Sequence, residues 1–330
     1  MNLPGDISPA AGAGGHPIWR GILRVVGSAL ILVLLFHFLP VAQVAAAIGR
    51  LPVELCVFVV AGYLAAHLFG VIKWRLLVNL AGAGLSFLQA ARCYFAGLFS
   101  TLFLPSLIGG DVVRAGLAVR LGRNKAGALL GSLVDRLLDM AALVSIAAVG
   151  AALLPGALSA NNRRIFEGAG GLALAILAGL ALSFALLPAR RFSYRMRRRL
   201  VRLREARRSM SRRPHYVALA LTLGITIQAI FIFLTIRIAL ASGLVLPLRV
   251  WMFGWPLAKL SGLVPVTQAG IGVREAALVA LLAPFGARAV LVMAVGLVWE
   301  ATIIAGGLIA GFFALLAGKL GAGSGLEARR

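Results

Sequence analysis

Two short segments carry the residues best suited to chemistry. Leu104-Pro105-Ser106-Leu107-Ile108-Gly109-Gly110-Asp111-Val112-Val113-Arg114 and Val264-Pro265-Val266-Thr267-Gln268-Ala269-Gly270-Ile271-Gly272-Val273-Arg274 lie 160 positions apart. Pro105, Gly110, Val113 and Arg114 match Pro265, Gly270, Val273 and Arg274 without a gap. Each segment breaks a hydrophobic run with proline and glycine and then supplies an arginine. The pattern predicts paired broken helices, with a second half-helix starting near Asp111 and near Ile271. The amides and positive dipole end of such a half-helix favour an anion. Gly109, Gly110, Gly270 and Gly272 permit the tight turn and a close approach to backbone. Arg114 and Arg274 are expected in the first turn, where a cation opposes its own helix dipole. One reading is a pair of guanidiniums that bind phosphate or carboxylate through charge-assisted bonds. The other is two buried ion pairs, Arg114 with Asp111 and Arg274 with Glu275.

A second group is Asp135-Arg136-Leu137-Leu138-Asp139. Asp135 and Asp139 are four apart and share one helix face, with Arg136 about a quarter turn away. They are candidates for counter-ions to the arginines, for a proton-coupling pair, or for a packing salt bridge. Glu300 occupies a similar depth in a later apolar segment and is a weaker candidate for the same work. Lys259 either contacts an anionic head or snorkels. Lys73 and Arg75, beside Trp74, read as interface anchors at a span end. His16, His37, His67 and His215 have no ligand spacing and read as incidental. Cys56 and Cys93 read as packing residues. No metal or cofactor is expected, because two carboxylates alone are too few for a cation site.

The elements that must position these residues follow from composition. The 330 residues are 61% hydrophobic with only ten acidic side chains, and the mean hydropathy is +0.98. Soluble domains are roughly 45–50% apolar, so the chain reads as a polytopic membrane protein. The net charge of +23 sits between apolar runs, which favours positive-inside topology and anionic lipid over nucleic acid. Residues 188–213 hold twelve arginines against the single acid Glu205. They predict a basic amphipathic loop on the cytoplasmic leaflet.

Crossing a bilayer takes about 20 apolar residues. Six segments qualify: about 22–39, 53–72, 127–153, 165–187, 215–242 and 290–318. The runs flanking the two motifs are too short, at about 18 Å for residues 93–104. They are expected as re-entrant hairpins over about 92–122 and 251–285. With loop 188–213 inside, both termini fall inside and the hairpins enter from opposite sides. The expected fold is therefore all-α and polytopic, an inverted-topology repeat of six full spans and two re-entrant hairpins. Its halves are about 22–153 and 165–318, in one membrane domain over 18–318. A disordered tail is expected over 1–17 and a short tail over 319–330.

The GGD-x-x-R phrase ending at Arg114, Asp135-Arg136, and Gly270-Ile271-Gly272-Val273-Arg274-Glu275-Ala276 together resemble the flippase-like transmembrane domain of lysylphosphatidylglycerol synthases. The similarity spans about residues 20–319. One departure is Ala269, which replaces a glycine common at that point. The resemblance implies translocation of a lipid between leaflets of a bacterial-type inner membrane, with an anionic lipid as substrate. No soluble aminoacyltransferase domain is expected after residue 330, so lysine transfer is not implied. A membrane-embedded lipid-modifying enzyme and a non-transporting partner subunit of a lipid or glycan pathway remain as alternatives. A homo-oligomer or a biosynthetic partner is compatible with the sequence.

Overall fold

A computed structural model describes residues 46, 48–104, 108–154, 208, 212–262 and 272–327. Among these residues the chain is all-helical. Its helices are α1 (Val53–Leu80), α2 (Phe87–Ser100), α3 (Ile108–Leu121), α4 (Lys125–Ala152), α5 (Pro214–Ala241), α6 (Leu248–Ser261), α7 (Val273–Leu282) and α8 (Ala289–Glu327). A single 3-10 turn, Ala283–Phe285, follows α7. The segments expected at 22–39 and 165–187, and nearly all of loop 188–213, lie outside the described residues.

Local chemistry explains the boundaries. Ser86 and Gln89 form a reciprocal capping box at the start of α2, satisfying two amides that the helix leaves unpaired. Asn124 accepts from the Gly127 amide to start α4, and Pro214 occupies the first turn of α5, where its missing N–H costs nothing. α7 begins after Gly272, whose φ of 85° is a backbone state open to glycine and strained for other residues.

Three helices, α1, α5 and the Ala289–Gly318 part of α8, are long and apolar enough to cross a membrane. α4 has the same 28-residue length as α1 and α5, but Asp135, Arg136 and Asp139 interrupt its apolar sequence. α1 runs on to Leu80, past the span end expected at 72. Lys73, Trp74 and Arg75 are thus interior helical residues.

α2 and α3 form a hairpin. The Arg123 amide, just past α3, donates to the Ala83 carbonyl at 2.8 Å, so the two open ends meet. Near the other end Gly97 packs on Gly110 and Arg114. α6 and α7 pair likewise, with Gly254 against Leu282 and the Phe253 and Phe285 rings 6.5 Å apart. The turns at 105–107 and 263–271 are not described.

Small residues set the packing between helices. Lipid supplies no hydrophobic drive for helix association, so close backbone contact and dispersion must do so. Gly131 and Gly127 of α4 lie against the backbone of Val78 and Ala81. Gly150 lies against Met252 and Phe253 at the start of α6. Gly307 and Gly311 of α8 receive Leu102 and Phe99, and Gly318 faces Arg92. These last contacts run in opposite chain directions, so α2 and α8 are antiparallel. Tyr63, Phe231, Trp299 and Trp255 close the centre, with successive ring centroids 5.6–6.0 Å apart.

Candidate functional site

Among the described residues, all eight helices contribute to one cavity of about 180 Å³. Arg114 and Arg274 both line it, as do Gly110, Asp111, Arg136, Asp139 and Lys259. The volume is below the roughly 300–1,000 Å³ of sites that enclose drug-sized ligands.

Two ionic clusters border the cavity. In the first, the Arg114 guanidinium on α3 donates to Asp111 at 2.8 Å and to Asp135 of α4 at 3.0 Å. Lys73 of α1 lies 3.0 Å from Asp135 and also pairs with Asp139. Arg136 completes the set, 3.4 Å from Asp111. Three cations and three carboxylates thus balance, joining the first hairpin to α1 and α4. Arg114 further rests against the rings of Tyr94 and Trp74, with centroids at 5.0 and 5.3 Å.

In the second cluster, Arg274 of α7 donates to Glu275 through Nε at 3.1 Å and Nη2 at 2.6 Å. It also donates to Glu300 of α8 at 2.6 Å. Glu275 turns its other oxygen to the Gly272 amide at 2.7 Å, which caps α7. One cation here faces two carboxylates.

Several expectations change. Arg114 stands in the second turn of α3, because the helix starts at Ile108 and only Asp111 falls in its first turn. The opposition to its own helix dipole therefore applies to Arg274 alone. The space left by Gly110 is filled by the Thr101 hydroxyl and the Gly97 carbonyl, so this glycine serves helix packing at the cavity edge. Gly109 lies against Leu104. Gly272 supplies the turn before α7, with its amide already held by Glu275, and Gly270 is outside the described residues. Both arginines take part in ion pairs, with Asp111 and Glu275 and also with Asp135 and Glu300.

Lys73 is no interface anchor: it is 1% exposed, stabilised by acids 62 and 66 residues away in sequence. Arg75 closes the α1–α2 turn by donating to the Leu85 carbonyl at 3.1 Å. His67 is not incidental, since it lines the cavity with Nδ1 3.1 Å from the Tyr94 hydroxyl. Lys259 does not snorkel. Its ammonium donates to Gln228 at 2.8 Å and lies over the Phe231 and Trp255 rings, 4.7 and 4.9 Å from their centroids. Sequence reasoning missed Tyr63, Tyr94, Gln228, Phe231, Trp255 and Trp299. A signal existed for Gln228, the one side-chain amide in the apolar helix α5. Cys56 is exposed and Cys93 buried, and both are free thiols.

Long apolar helices enclosing a buried ionic cavity define a helical membrane protein, since such charges are tolerated at depth when they pair and face the bundle interior. The chain belongs to the family described as the lysylphosphatidylglycerol synthase TM region, which matches residues 21–311. A comparison with curated proteins gave no match.

Proposed function

We propose that the chain is a lipid translocase, moving an anionic or phosphate-bearing lipid between leaflets through a midplane site between two broken-helix hairpins. The observation that carries this reading is that the arginines of both repeated motifs line one cavity. Membership of the family supports it, as does the order of elements. Helices of 28, 14, 14 and 28 residues are followed by helices of 28, 14, 10 and 39. Contacts between the halves are reciprocal: α2 packs on α8, while α6 packs on α4. This interlocking agrees with an inverted-topology repeat of six spans and two re-entrant hairpins, with loop 188–213 and both termini on the cytoplasmic face of a plasma membrane.

The ionic clusters suggest how such a protein moves. Each fastens one hairpin to full-length helices, the first through Asp135 and Lys73 and the second through Glu300. Opening the cavity to one leaflet then means exchanging carboxylate partners in one cluster while the other holds. An anionic head entering the cavity shifts that balance by its different affinity for the two states. The acyl chains stay in the surrounding lipid.

The test is leaflet transfer in proteoliposomes. A fluorescent phosphatidylglycerol placed in one leaflet should equilibrate faster in the presence of the chain and remain chemically intact. Chemically altered lipid would favour a lipid-modifying enzyme. Unchanged lipid with no acceleration, for anionic lipids of several head types, would leave a partner subunit as the better reading.

A further inference from the structure

The five cations of the site are not equivalent. Lys73, Arg114 and Arg136 are balanced by Asp111, Asp135 and Asp139. Arg274 is more than balanced by Glu275 and Glu300. Lys259 differs: among the described residues it has no carboxylate within ion-pair distance. Its ammonium meets one neutral acceptor, Gln228, and two aromatic faces. Rings attract a cation through their quadrupole and add no formal charge. Lys259 also lies in the last turn of α6, where the negative end of the helix dipole favours it. Among the described residues, Lys259 is thus the cavity-lining basic side chain that no carboxylate partners.

A packing role would be served by an uncharged residue of the same length, since a desolvated, unpaired cation is costly. A second observation is the cavity itself, which Lys259 lines together with Arg114, Arg136 and His67. Of the side chains around it, Arg114 Nε, Arg136 Nε and His67 Nε2 are shut off from solvent without a hydrogen-bond partner, and so are the carboxylate oxygens Asp111 Oδ2 and Asp135 Oδ1. A group with a negative charge and acceptor oxygens would answer the unpaired ammonium, and phosphate has that chemistry.

We propose that Lys259 is the anion-contacting group of the cavity, taking a phosphate oxygen of the ligand while Gln228, Phe231 and Trp255 hold its ammonium in place. Arg114 and Arg274 remain committed to their carboxylates and shape the cavity. This inference rests on the reading of the cavity as the lipid site, and it names the atom that reads the head. A lipid head and free phosphate share this chemistry, and the experiment separates the two.

The full-length protein in neutral detergent is titrated calorimetrically with dihexanoylphosphatidylglycerol, with inorganic phosphate, and with dihexanoylglycerol, which lacks the head. The wild-type chain should bind the first, bind the second more weakly and ignore the third. Lys259→Met should weaken binding about tenfold to a hundredfold, the range for losing a hydrogen bond to a charged group. Lys259→Arg should retain most of it, and unfolding temperature and monodispersity are followed in each variant. If Lys259→Met cannot be purified, Gln228→Leu, which leaves the ammonium unpositioned, should weaken binding. Unchanged affinity in either neutral variant overturns the inference. Equal affinity for inorganic phosphate and the lipid keeps Lys259 as the contact and assigns the site to free phosphate. Leaflet transfer that persists in Lys259→Met with normal binding overturns the inference and spares the translocase. Lysine-dependent binding without leaflet transfer does the reverse. No binding of any anion by the wild-type chain overturns both.

Discussion

Removing the carboxylate of Asp135 is the sharpest perturbation of the ionic core. Its side chain is fully buried and bridges Lys73 of α1 and Arg114 of α3, so three helices meet at one residue. Asp135→Asn keeps the shape and leaves Lys73, Arg114 and Arg136 facing only Asp111 and Asp139. One positive charge is then uncompensated beside a fully buried position. Breaking a buried pair from one side costs about 3–5 kcal/mol. Lys73 keeps Asp139 and Arg114 keeps Asp111, so the expected loss is at the lower end, about 3 kcal/mol. Lys73→Met strands a carboxylate instead and should cost a similar amount. The double variant has two cations and two acids, so its loss should fall short of the sum by about 1–3 kcal/mol, the coupling found between contacting residues. Reversible unfolding in mixed micelles, titrated with a denaturing detergent, measures all three. An Asp135→Asn loss below about 1 kcal/mol, or strict additivity of the two changes, would refute the account of the cluster as a buried, mutually compensating network.

Three further outcomes follow from the packing and the site. Gly150→Ala and Gly131→Ala place a Cβ against backbone, 2.5 Å from the Phe253 amide nitrogen and 2.7 Å from that of Val78. Each should destabilise by about 1–3 kcal/mol, whereas Gly116→Ala, with nothing within 4 Å, should leave thermal unfolding unchanged or raise it slightly. Arg114→Lys should lower both stability and leaflet transfer, because an ammonium cannot hold Asp111 and Asp135 in a planar fork while stacking on Trp74 and Tyr94. Lost transfer at full stability would instead give the guanidinium to the ligand and count against Lys259. Single-cysteine labelling in a chain lacking Cys56 and Cys93 should find 188–213 on the cytoplasmic side and 286–289 on the other. The opposite result sinks the proposed topology.

Much of the fold was legible because helices in lipid are bounded by local signals. The expected segments 127–153 and 215–242 match α4 and α5 to within two residues at each end. Proline, glycine and length alone separated the short hairpin helices from the long ones. The error at α1 has a definite cause. Lys73 after an apolar run reads as the water boundary, since an unpaired lysine cannot remain in hydrocarbon. Whether it is paired depends on Asp135 and Asp139, brought beside it only by the antiparallel packing of α1 on α4. Local sequence cannot report a neutraliser more than 60 residues away.

The site was legible in its charged residues and obscure in its division of labour. An arginine after a helix break reads equally as an anion ligand or as half of an ion pair, and sequence spacing offers both. What decides is how many carboxylates converge in space: two on Arg114, two on Arg274 and none on Lys259 among the described residues. Among the described residues, Lys73, Arg114, Arg136, Lys259 and Arg274 balance Asp111, Asp135, Asp139, Glu275 and Glu300, so the formal charges in and around the cavity cancel. Its interior is still polarised, with the excess acid at Arg274 and the excess base at Lys259. Charges that compensate within the membrane can exchange partners at far lower cost than a lone charge can be moved through it. On the proposed reading, a head group arriving with its own negative charge would meet the one cation, among the described residues, that need release no carboxylate to receive it. That makes the wall of Gln228, Phe231 and Trp255 around Lys259, rather than the repeated glycine–arginine motif, the place where selectivity for a ligand is expected to reside.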